Sequence, residues 1–399
     1  MKKLFTLLLI SIFIIEVSAQ CTPMRYNEEA FTNVDVTTVK FGEVLDESEN
    51  FVQDLNMDIY QPQGDTLENR PVIVFCFGGS FIAGSRTSGD IVYMCEEFAK
   101  RGYVTAAIDY RLAGPLDMLQ EENMVKEVLG AVGDGKAAIR FFRKDADTDN
   151  TYKIDVDQIF IGGTSAGGIL GINLAYADDL AKLPASWQTW MTEIGGLEGN
   201  SGNEGYCSKP NGTFGFAGAI ADTAWIDSDD VPCFMTHSED DATVPFAFGT
   251  PLNGLAPVDL MGSSLIAQTM DDRGIYNVFL DYAGSSHPPF QGTIDMSETR
   301  DNLESFLYSI LLCNPDNENQ EDVDNCYKTV NPNAIRDFAT IDAQIYPNPT
   351  ENVLFIKLQS EDVKEATFNI TNTIGQTVMK GNVVETVQQY DISTLPSGI

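Results

Sequence analysis

The sequence predicts an α/β domain with a doubly wound, mostly parallel sheet, followed by a small and incomplete all-β sandwich module. Two observations carry this prediction. Short β-rich runs alternate with helical stretches from about residue 36 to residue 312, and from residue 343 onward apolar residues recur at every second position. The first pattern is typical of strands and crossover helices around a parallel sheet, and the second is typical of half-buried strands.

Seven β-rich runs are predicted as strands, at residues 54–60, 72–77, 104–109, 158–161, 214–221, 232–236 and 276–280. The later runs are nearly continuous apolar segments, as expected for strands that are buried on both faces of a parallel sheet. Helical stretches are predicted between them, for example at residues 91–101, 124–143 and 167–183. We therefore expect one α/β domain over residues 20–313.

The first nineteen residues read as a signal peptide. Lys2 and Lys3 precede an apolar run over residues 4–15, and Ala19 ends a small-residue cleavage site. The run is too short to span a bilayer, and no other segment approaches the roughly 20 apolar residues that a span needs. We expect export, with no transmembrane segment in the mature protein.

Composition excludes some classes of partner. The chain has 399 residues, with 24 basic and 59 acidic side chains and a formal net charge of -35. This charge repels phosphate backbones and anionic lipids, so nucleic-acid binding is not expected. The chain is also 43% hydrophobic, which is enough for a sizeable core.

Residues 314–341 are acidic and poor in apolar side chains, which predicts a linker. Period-two patches follow it, at Leu354, Ile356 and Leu358 and again at Ala366, Phe368 and Ile370. These patches predict a separate β module over residues 342–399. The chain stops where another strand should begin, so we expect the module to be truncated.

Seven cysteines are present, and export makes disulfides possible. Cys76 and Cys233 lie in apolar strand-like runs and are expected to be buried thiols. Cys313 and Cys326 flank an acidic loop and form the favoured disulfide pair. Connectivity cannot be deduced from spacing alone.

The strongest chemical signal is Gly163-Thr164-Ser165-Ala166-Gly167, a G-x-S-x-G sequence between a predicted strand and a predicted helix. In that context the serine sits on a sharp turn as an exposed nucleophile, and the glycines make room for the neighbouring elements. The alternative is a structural glycine turn. We expect Ser165 to be catalytic and the N–H of Ala166 to face a developing oxyanion.

A glycine pair, Gly78 and Gly79, follows the predicted strand 72–77. Such a turn can present backbone N–H groups to a tetrahedral oxyanion, together with the N–H of Ala166. The alternative is an ordinary strand turn. We expect an oxyanion hole formed by Gly78, Gly79 and Ala166.

A serine nucleophile needs a base, and only two histidines are present, His237 and His287. His287 follows the last predicted strand and is expected to be the base. His237 lies at a strand end close to the acidic residues and is expected to be structural. Asp241 is the expected orienting acid, with Asp240 and Glu239 as competitors. The order Ser165, Asp241, His287 is that of α/β hydrolases.

These motifs resemble those of the α/β-hydrolase esterases of the carboxylesterase and lipase group, over residues from about 50 to 312. The resemblance rests on four stretches: Phe77-Gly-Gly-Ser-Phe81 with Gly84-Ser85, Asp109-Tyr-Arg-Leu112, the serine elbow, and residues 237–245. It selects Asp241, which lies four residues after His237 and four before Pro245. Phe77 replaces the histidine usual in the family and Ser80 replaces the third glycine, so we expect a reshaped acyl pocket rather than lost catalysis.

A second resemblance covers residues 345–399. Tyr346-Pro-Asn-Pro-Thr350, Asn372-Thr-Ile-Gly-Gln376 and Leu395-Pro-Ser-Gly-Ile399 resemble the C-terminal sorting domain of the type IX secretion system of Bacteroidetes. The resemblance implies the type IX machinery as a partner and a protein that is secreted or attached to the cell surface. The alternative is a carbohydrate-binding β-sandwich.

The expected function is therefore a secreted serine esterase that works through an acyl-enzyme and needs no metal or organic cofactor. Acetyl or feruloyl esters of polysaccharides, small soluble esters and polyesters all remain open as substrates. A serine peptidase of the prolyl-oligopeptidase type and a non-catalytic surface binding protein are the alternatives. Three tryptophans between the serine and the acid are candidates for the substrate pocket or the core: Trp187, Trp190 and Trp225.

Overall fold

The computed structural model describes residues 25–46, residues 51–311 and five later segments, at 343–346, 353–358, 366–371, 377–383 and 387–392. The predicted signal peptide, the predicted linker and the Cys313 and Cys326 pair lie outside the described residues. By contacts the chain divides into two units, Met1–Asn333 and Ala334–Ile399.

The first unit contains eleven strands among the described residues: β1 (Val34–Asp46), β2 (Phe51–Pro62), β3 (Arg70–Cys76), β4 (Val104–Ile108), β5 (Ile154–Thr164), β6 (Gly212–Phe216), β7 (Ala219–Ile220), β8 (Cys233–Ser238), β9 (Phe248–Gly249), β10 (Leu260–Gly262) and β11 (Asn277–Tyr282). Its described helices are α1 (Gly89–Lys100), α2 (Glu121–Asp147), α3 (Ala166–Tyr176), α4 (Ala185–Glu193), α5 (Pro251–Gly254), α6 (Ser263–Arg273) and α7 (Met296–Ile310).

Eight strands form the central sheet in the order β1-β2-β4-β3-β5-β6-β8-β11. The β1–β2 and β2–β4 pairs are antiparallel, and the pairs from β4 to β11 are parallel. This confirms the predicted doubly wound, mostly parallel sheet. Strands β7, β10 and β9 form a separate three-stranded sheet.

The centre of the sheet is the core. Every residue of β3, β4 and β6 is buried, which explains their continuous apolar sequences. Helix α3 is also buried along its whole length. It lies close to β5, since a Cβ on Gly171 would come within 2.7 Å of the Cα of Gly162. This close packing fixes where α3 lies relative to β5, and with it the turn between the two.

One predicted strand is divided in the structure, one predicted helix is shorter, and one strand has no predicted counterpart. The strand predicted at 214–221 is two strands, β6 and β7, because Ala217 between them adopts a φ of 58°. The helix predicted at 167–183 ends at Tyr176, and Asp179 then caps a separate 3₁₀ turn. Strand β1 was not predicted. It lies at the edge of the sheet and about half of its side chains are polar, so its pairing with β2 rather than a continuous apolar run identifies it as a strand.

In the second unit, the described strands are β12 (Ala343–Tyr346), β13 (Val353–Leu358), β14 (Ala366–Thr371), β15 (Thr377–Val383) and β16 (Val387–Asp391). They form an antiparallel β12-β13-β16 sheet and a β14–β15 pair. The two predicted period-two patches lie in β13 and β14, in agreement with an all-β module.

Three cysteines of the first unit, Cys76, Cys95 and Cys233, are buried free thiols, which confirms the expectation for Cys76 and Cys233. Cys207 is disulfide-bonded. Within the part of the chain that the structure describes, none of the helices combines the length and apolar character that crossing a membrane requires.

Candidate active site

Ser165 occupies the single residue between the end of β5 and the start of α3, with φ 55° and ψ -114°. A non-glycine residue with positive φ is strained, and such strain persists only where the surroundings impose it. The backbone N–H of Ser165 donates to the carbonyl of Phe216 in β6 (2.8 Å), which holds the turn against the neighbouring strand. The turn therefore has the geometry of a nucleophile elbow.

The glycines on either side of Ser165 are required by the end of β3. A Cβ on Gly163 would lie 1.9 Å from the carbonyl oxygen of Cys76, and a Cβ on Gly167 would lie 2.1 Å from the same oxygen. Any side chain at either position would push β3 away from the turn. Close packing of β3 against the elbow thus explains both glycines of the motif.

His287 lies in the loop after β11, and its ring joins Ser165 to Asp241. Its Nε2 is 2.7 Å from the Oγ of Ser165, and its Nδ1 is 2.5 Å from Oδ2 of Asp241. A carboxylate can only accept a hydrogen bond, so Nδ1 carries the hydrogen and Nε2 is left to accept from the serine hydroxyl. The three predicted residues therefore form one continuous chain of hydrogen bonds.

Asp241 follows β8, and its side chain is fully buried. Its Oδ1 accepts the backbone N–H groups of Thr243 (2.8 Å) and Val244 (3.1 Å). Burial raises the pKa of this carboxyl, but hydrogen bonds from His237, His287 and the loop outweigh burial and place the pKa well below its ordinary 3.8. The two competing acids, Glu239 and Asp240, are exposed at the surface.

His237 lies on the other side of Asp241 and is completely buried. Its Nε2 lies 3.1 Å from the carbonyl oxygen of Val244 and 3.4 Å from Oδ2 of Asp241, while Nδ1 lies 2.9 Å from the Oγ of Ser263. Since a carbonyl only accepts, Nε2 of His237 carries a hydrogen. The structure thus places His237 behind the acid and away from the serine.

The predicted oxyanion residues surround the serine. A Cβ on Gly78 would lie 3.3 Å from the Cβ of Ser165, so this backbone touches the elbow. Gly79 has φ +135°, and a Cβ there would meet the carbonyl oxygen of Ala83 at 1.9 Å. Ala166 is the first residue of α3, and the first N–H groups of a helix have no acceptor within it.

The two departures from the family pattern have different consequences. Phe77 is buried, and its ring stacks on Tyr110 at 4.2 Å, while the hydroxyl of Tyr110 donates to the carbonyl of Phe77 (2.7 Å). Ser80 adopts φ 56°, a conformation that favours glycine. Phe77 therefore anchors the loop in the core, and Ser80 lines the same two cavities as Ser165.

Asp109 and Arg111, the residues on either side of Tyr110, each form an ion pair. Asp109 forms an ion pair with Arg86 (2.5 Å). Arg111 donates to both carboxylate oxygens of buried Asp134, at 2.9 and 2.7 Å. Arg111 is thus part of a buried ion pair, away from the serine.

Ser165 lines two cavities. The first has a volume of about 350 Å³ and is polar; it is lined by Gly78, Gly79, Ser80, Ser88, Asp90, Thr164, Ser165, Thr243, His287, Pro288 and Gln291. The second has a volume of about 40 Å³ and is largely apolar; it is lined by Ser80, Phe81, Met118, Met124, Ser165, Ala166, Ile169, Thr243, Val244, Pro251, Leu252 and Leu260.

None of the three tryptophans is among the residues that line these two cavities. Trp187 and Trp225 are buried and pack edge to face at 6.1 Å, and Trp190 packs against the core. Sequence reasoning missed Asp90 and Thr164. Asp90 lies in the first turn of α1, and an acidic residue at a helix start is too common to signal a site.

Two family models match parts of the chain. The BD-FAE family model matches residues 57–204, and the model of the secretion system C-terminal sorting domain matches residues 344–399. No curated protein matches the chain in sequence.

Solved structures of esterase 2 from Thermogutta terrifontis share the fold of the first unit, with a TM-score of 0.51. The native enzyme is 23% identical, over 74% of this chain and 98% of that one. The propionate-bound form (23% identical) and the form phosphoramylated by tabun (24% identical) each match over 69% of this chain and 94% of theirs.

Residues 57–204 thus carry an esterase-like α/β-hydrolase domain of the BD-FAE kind, and the chain is a carboxylic ester hydrolase with a type IX sorting domain, secreted or attached to the cell surface.

Proposed function

We propose that the protein hydrolyses short-chain carboxylic esters of polyhydroxylated alcohols, with Ser165 as nucleophile, His287 as general base and Asp241 as the residue that orients His287. The continuous hydrogen-bond chain from the Oγ of Ser165 through His287 to Oδ2 of Asp241 carries this proposal. A hydroxyl is a weak nucleophile, and an oriented imidazole next to it is what makes it reactive.

The reaction proceeds in two halves. The Oγ of Ser165 attacks the ester carbonyl carbon while Nε2 of His287 takes the hydroxyl proton. The bond from the carbonyl carbon to the alcohol oxygen then breaks, and His287 returns the proton to that oxygen, leaving an acyl-serine. Water attacks the acyl-serine in the same way and releases the carboxylic acid and free Ser165.

The tetrahedral intermediates carry a negative oxygen that needs hydrogen-bond donors. The N–H groups of Gly78, Gly79 and Ala166 are the proposed donors. Gly78 touches the elbow, and Ala166 opens α3, whose N-terminus carries a partial positive charge. Backbone donors held by a strained turn need no rearrangement when the charge develops.

Each of the two cavities holds one part of the substrate in this proposal. His287 must protonate the departing alcohol, and it lines the polar cavity but is not among the residues lining the apolar one. The alcohol therefore belongs in the polar cavity and the acyl group in the apolar cavity. At about 40 Å³ the apolar cavity suits acetyl better than an aromatic acyl group such as feruloyl. Acetylated polysaccharide is the substrate class that this arrangement favours.

Hydrolysis of 4-nitrophenyl acetate, acetyl-xylan, methyl ferulate and a proline-containing peptide anilide by the purified protein tests the proposal. We expect activity on both acetyl esters, little on methyl ferulate and none on the peptide. Ser165→Ala should abolish ester hydrolysis, and Ser228→Ala, which changes an exposed serine, should leave it intact. Cleavage of the peptide in preference to the esters, or full activity of Ser165→Ala, would overturn the proposal.

The sorting domain implies the type IX secretion machinery as a partner. The proposed route has the sorting domain direct the catalytic domain across the outer membrane. Expression in a host with this system tests the route. Removal of residues 342–399 should leave the enzyme inside the cells, and its undiminished appearance outside would contradict it.

A further inference from the structure

We propose that Asp90 selects the leaving alcohol by accepting a hydrogen bond from one of its free hydroxyl groups. This inference rests on the proposed function, since it assigns the polar cavity to the alcohol. Asp90 is half-buried in the first turn of α1 and lines the same cavity as Ser165 and His287.

The carboxylate of Asp90 is held in place by β5, the strand that ends just before Ser165. The hydroxyl of Thr164, the residue before Ser165, donates to Oδ2 of Asp90 at 2.7 Å. This contact joins α1 to the end of β5 and fixes the carboxylate relative to the elbow. Among the described residues, Oδ1 of Asp90 has no hydrogen-bond partner, so one acceptor oxygen is left for a ligand.

The chemistry of the cavity defines what this oxygen can recognise. Asp90 is the one acidic side chain among the residues that line the cavity, and the other polar side chains there are hydroxyls, the amide of Gln291 and the imidazole of His287. A carboxylate only accepts, so its ligand must donate. A sugar ring with free hydroxyls next to the ester meets this requirement, and an anionic leaving group would be repelled.

A cationic alcohol could also approach a carboxylate, but this cavity lacks the features of a cation site. Quaternary ammonium groups are bound by aromatic faces, and no phenylalanine, tyrosine or tryptophan is among its lining residues. The lining instead matches a neutral alcohol that both donates and accepts hydrogen bonds. The ligand class is therefore a polyhydroxylated, uncharged alcohol.

The test compares methyl 3-O-acetyl-β-xylopyranoside, which has free hydroxyls beside the ester, with 4-nitrophenyl acetate, which has none. In Asp90→Asn the amide oxygen can still accept from Thr164, but an NH₂ group replaces the second acceptor oxygen. The ratio of kcat/KM on the sugar ester to kcat/KM on the nitrophenyl ester should fall by about tenfold, the usual effect of losing a hydrogen bond to a charged group. Titration of the active serine with a fluorophosphonate corrects for misfolded protein.

Asp240→Asn is the matched control, because Asp240 is exposed and lines neither cavity. Its ratio should equal that of the wild type. An unchanged ratio in Asp90→Asn, with both esters still cleaved through Ser165, would overturn the role of Asp90 and leave the proposed function standing. Failure of the wild type to cleave either ester would instead overturn the proposed function. A loss on acetylcholine that exceeds the loss on the sugar ester would also overturn the inference, because charge would then be what Asp90 recognises.

Discussion

Oδ2 of Asp241 lies 2.5 Å from Nδ1 of His287, while the other oxygen of the same carboxylate is held by two backbone N–H groups of its own loop. The carboxylate is thus fixed on one side by the loop and on the other by the base. A fixed, ionised carboxylate keeps the hydrogen of His287 on Nδ1, so that Nε2 faces Ser165 as an acceptor. Catalysis should therefore depend on Asp241 as much as on the groups that touch the substrate.

Asp241→Asn tests this dependence. An asparagine of the same shape can present its NH₂ group to Nδ1, which places the hydrogen of His287 on Nε2 and removes its ability to accept the serine proton. We expect kcat on 4-nitrophenyl acetate to fall on the order of 10³- to 10⁴-fold. Steady-state kinetics measures the loss. Glu239→Gln, at an exposed position two residues earlier, should stay near wild type, and a comparable loss there would contradict the assignment of the acid.

Substitution of His237 should lower mainly stability, whereas substitution of His287 should lower mainly catalytic activity. His237 is fully buried, and its Nε2 donates to the carbonyl oxygen of Val244, so His237→Leu leaves this buried carbonyl without that donor. It also removes one of the two hydrogen bonds of the Ser263 hydroxyl, which keeps its bond to the carbonyl of Gly218. We expect its free energy of unfolding to fall by about 2–4 kcal/mol, with activity per titrated serine within about tenfold of wild type.

His287→Ala should give the opposite result, with a change in the free energy of unfolding of about 1 kcal/mol or less and a loss of activity on the order of 10³-fold or more. Urea denaturation measures the change in the free energy of unfolding, and steady-state hydrolysis of 4-nitrophenyl acetate measures the loss of activity. If His237→Leu were stable but inactive, the roles of the two histidines would have to be exchanged.

The apolar cavity should set the acyl length. Met118 is buried and forms part of its wall, so Met118→Ala makes room for about two more CH₂ groups. At about 0.8 kcal/mol per buried CH₂, the kcat/KM for 4-nitrophenyl hexanoate should rise about tenfold relative to the acetate. Leu119→Ala is the control, since Leu119 is 54% exposed and lines neither cavity. An unchanged preference in Met118→Ala would mean that the acyl group lies elsewhere.

Asp230 should make stability depend on pH. Burial raises the pKa of its carboxyl to about 7; Asp178 and Asp227 add to this, and a backbone hydrogen bond and Lys182 oppose it. A raised folded-state pKa gives stability that is complete below the ordinary value of 3.8 and is lost as pH rises through about 7. Asp230→Asn should therefore raise the melting temperature more at pH 8 than at pH 4.

Asp229→Asn provides the comparison for this titration, because it removes the same charge from an exposed neighbour. Its effect on the melting temperature should differ little between the two pH values. Equal effects of the Asp230 and Asp229 substitutions at both pH values would show that Asp230 ionises like a surface group.

Local patterns predicted the parts of the site that depend on short stretches of chain. The elbow around Ser165 is defined by a strand, a turn and a helix that follow one another directly, so the G-x-S-x-G sequence suffices to predict it. The acid was harder to predict, because Glu239, Asp240 and Asp241 share one loop and only the fold decides which one turns inward. Asp241 does so because its side chain caps the N–H groups of Thr243 and Val244.

Features that depend on distant segments could not be predicted. Asp90 meets Thr164 across 74 positions of the chain, and no local pattern records that contact. The apolar cavity combines Met118, from a 3₁₀ turn, with Leu252 from α5 and Leu260 from β10. Strand β1 has no continuous apolar run, so it could not be recognised without its partner β2.

The most direct test of Ser165 as the nucleophile is to treat the protein with a fluorophosphonate and to locate the adduct by peptide mass spectrometry while hydrolysis of 4-nitrophenyl acetate is followed in parallel. If Ser165 is the nucleophile, we expect a single adduct on Ser165, loss of activity in proportion to labelling, and no labelling of Ser165→Ala. Full hydrolysis by protein whose Ser165 is completely modified, or an adduct on a different residue that accompanies inactivation, would contradict it.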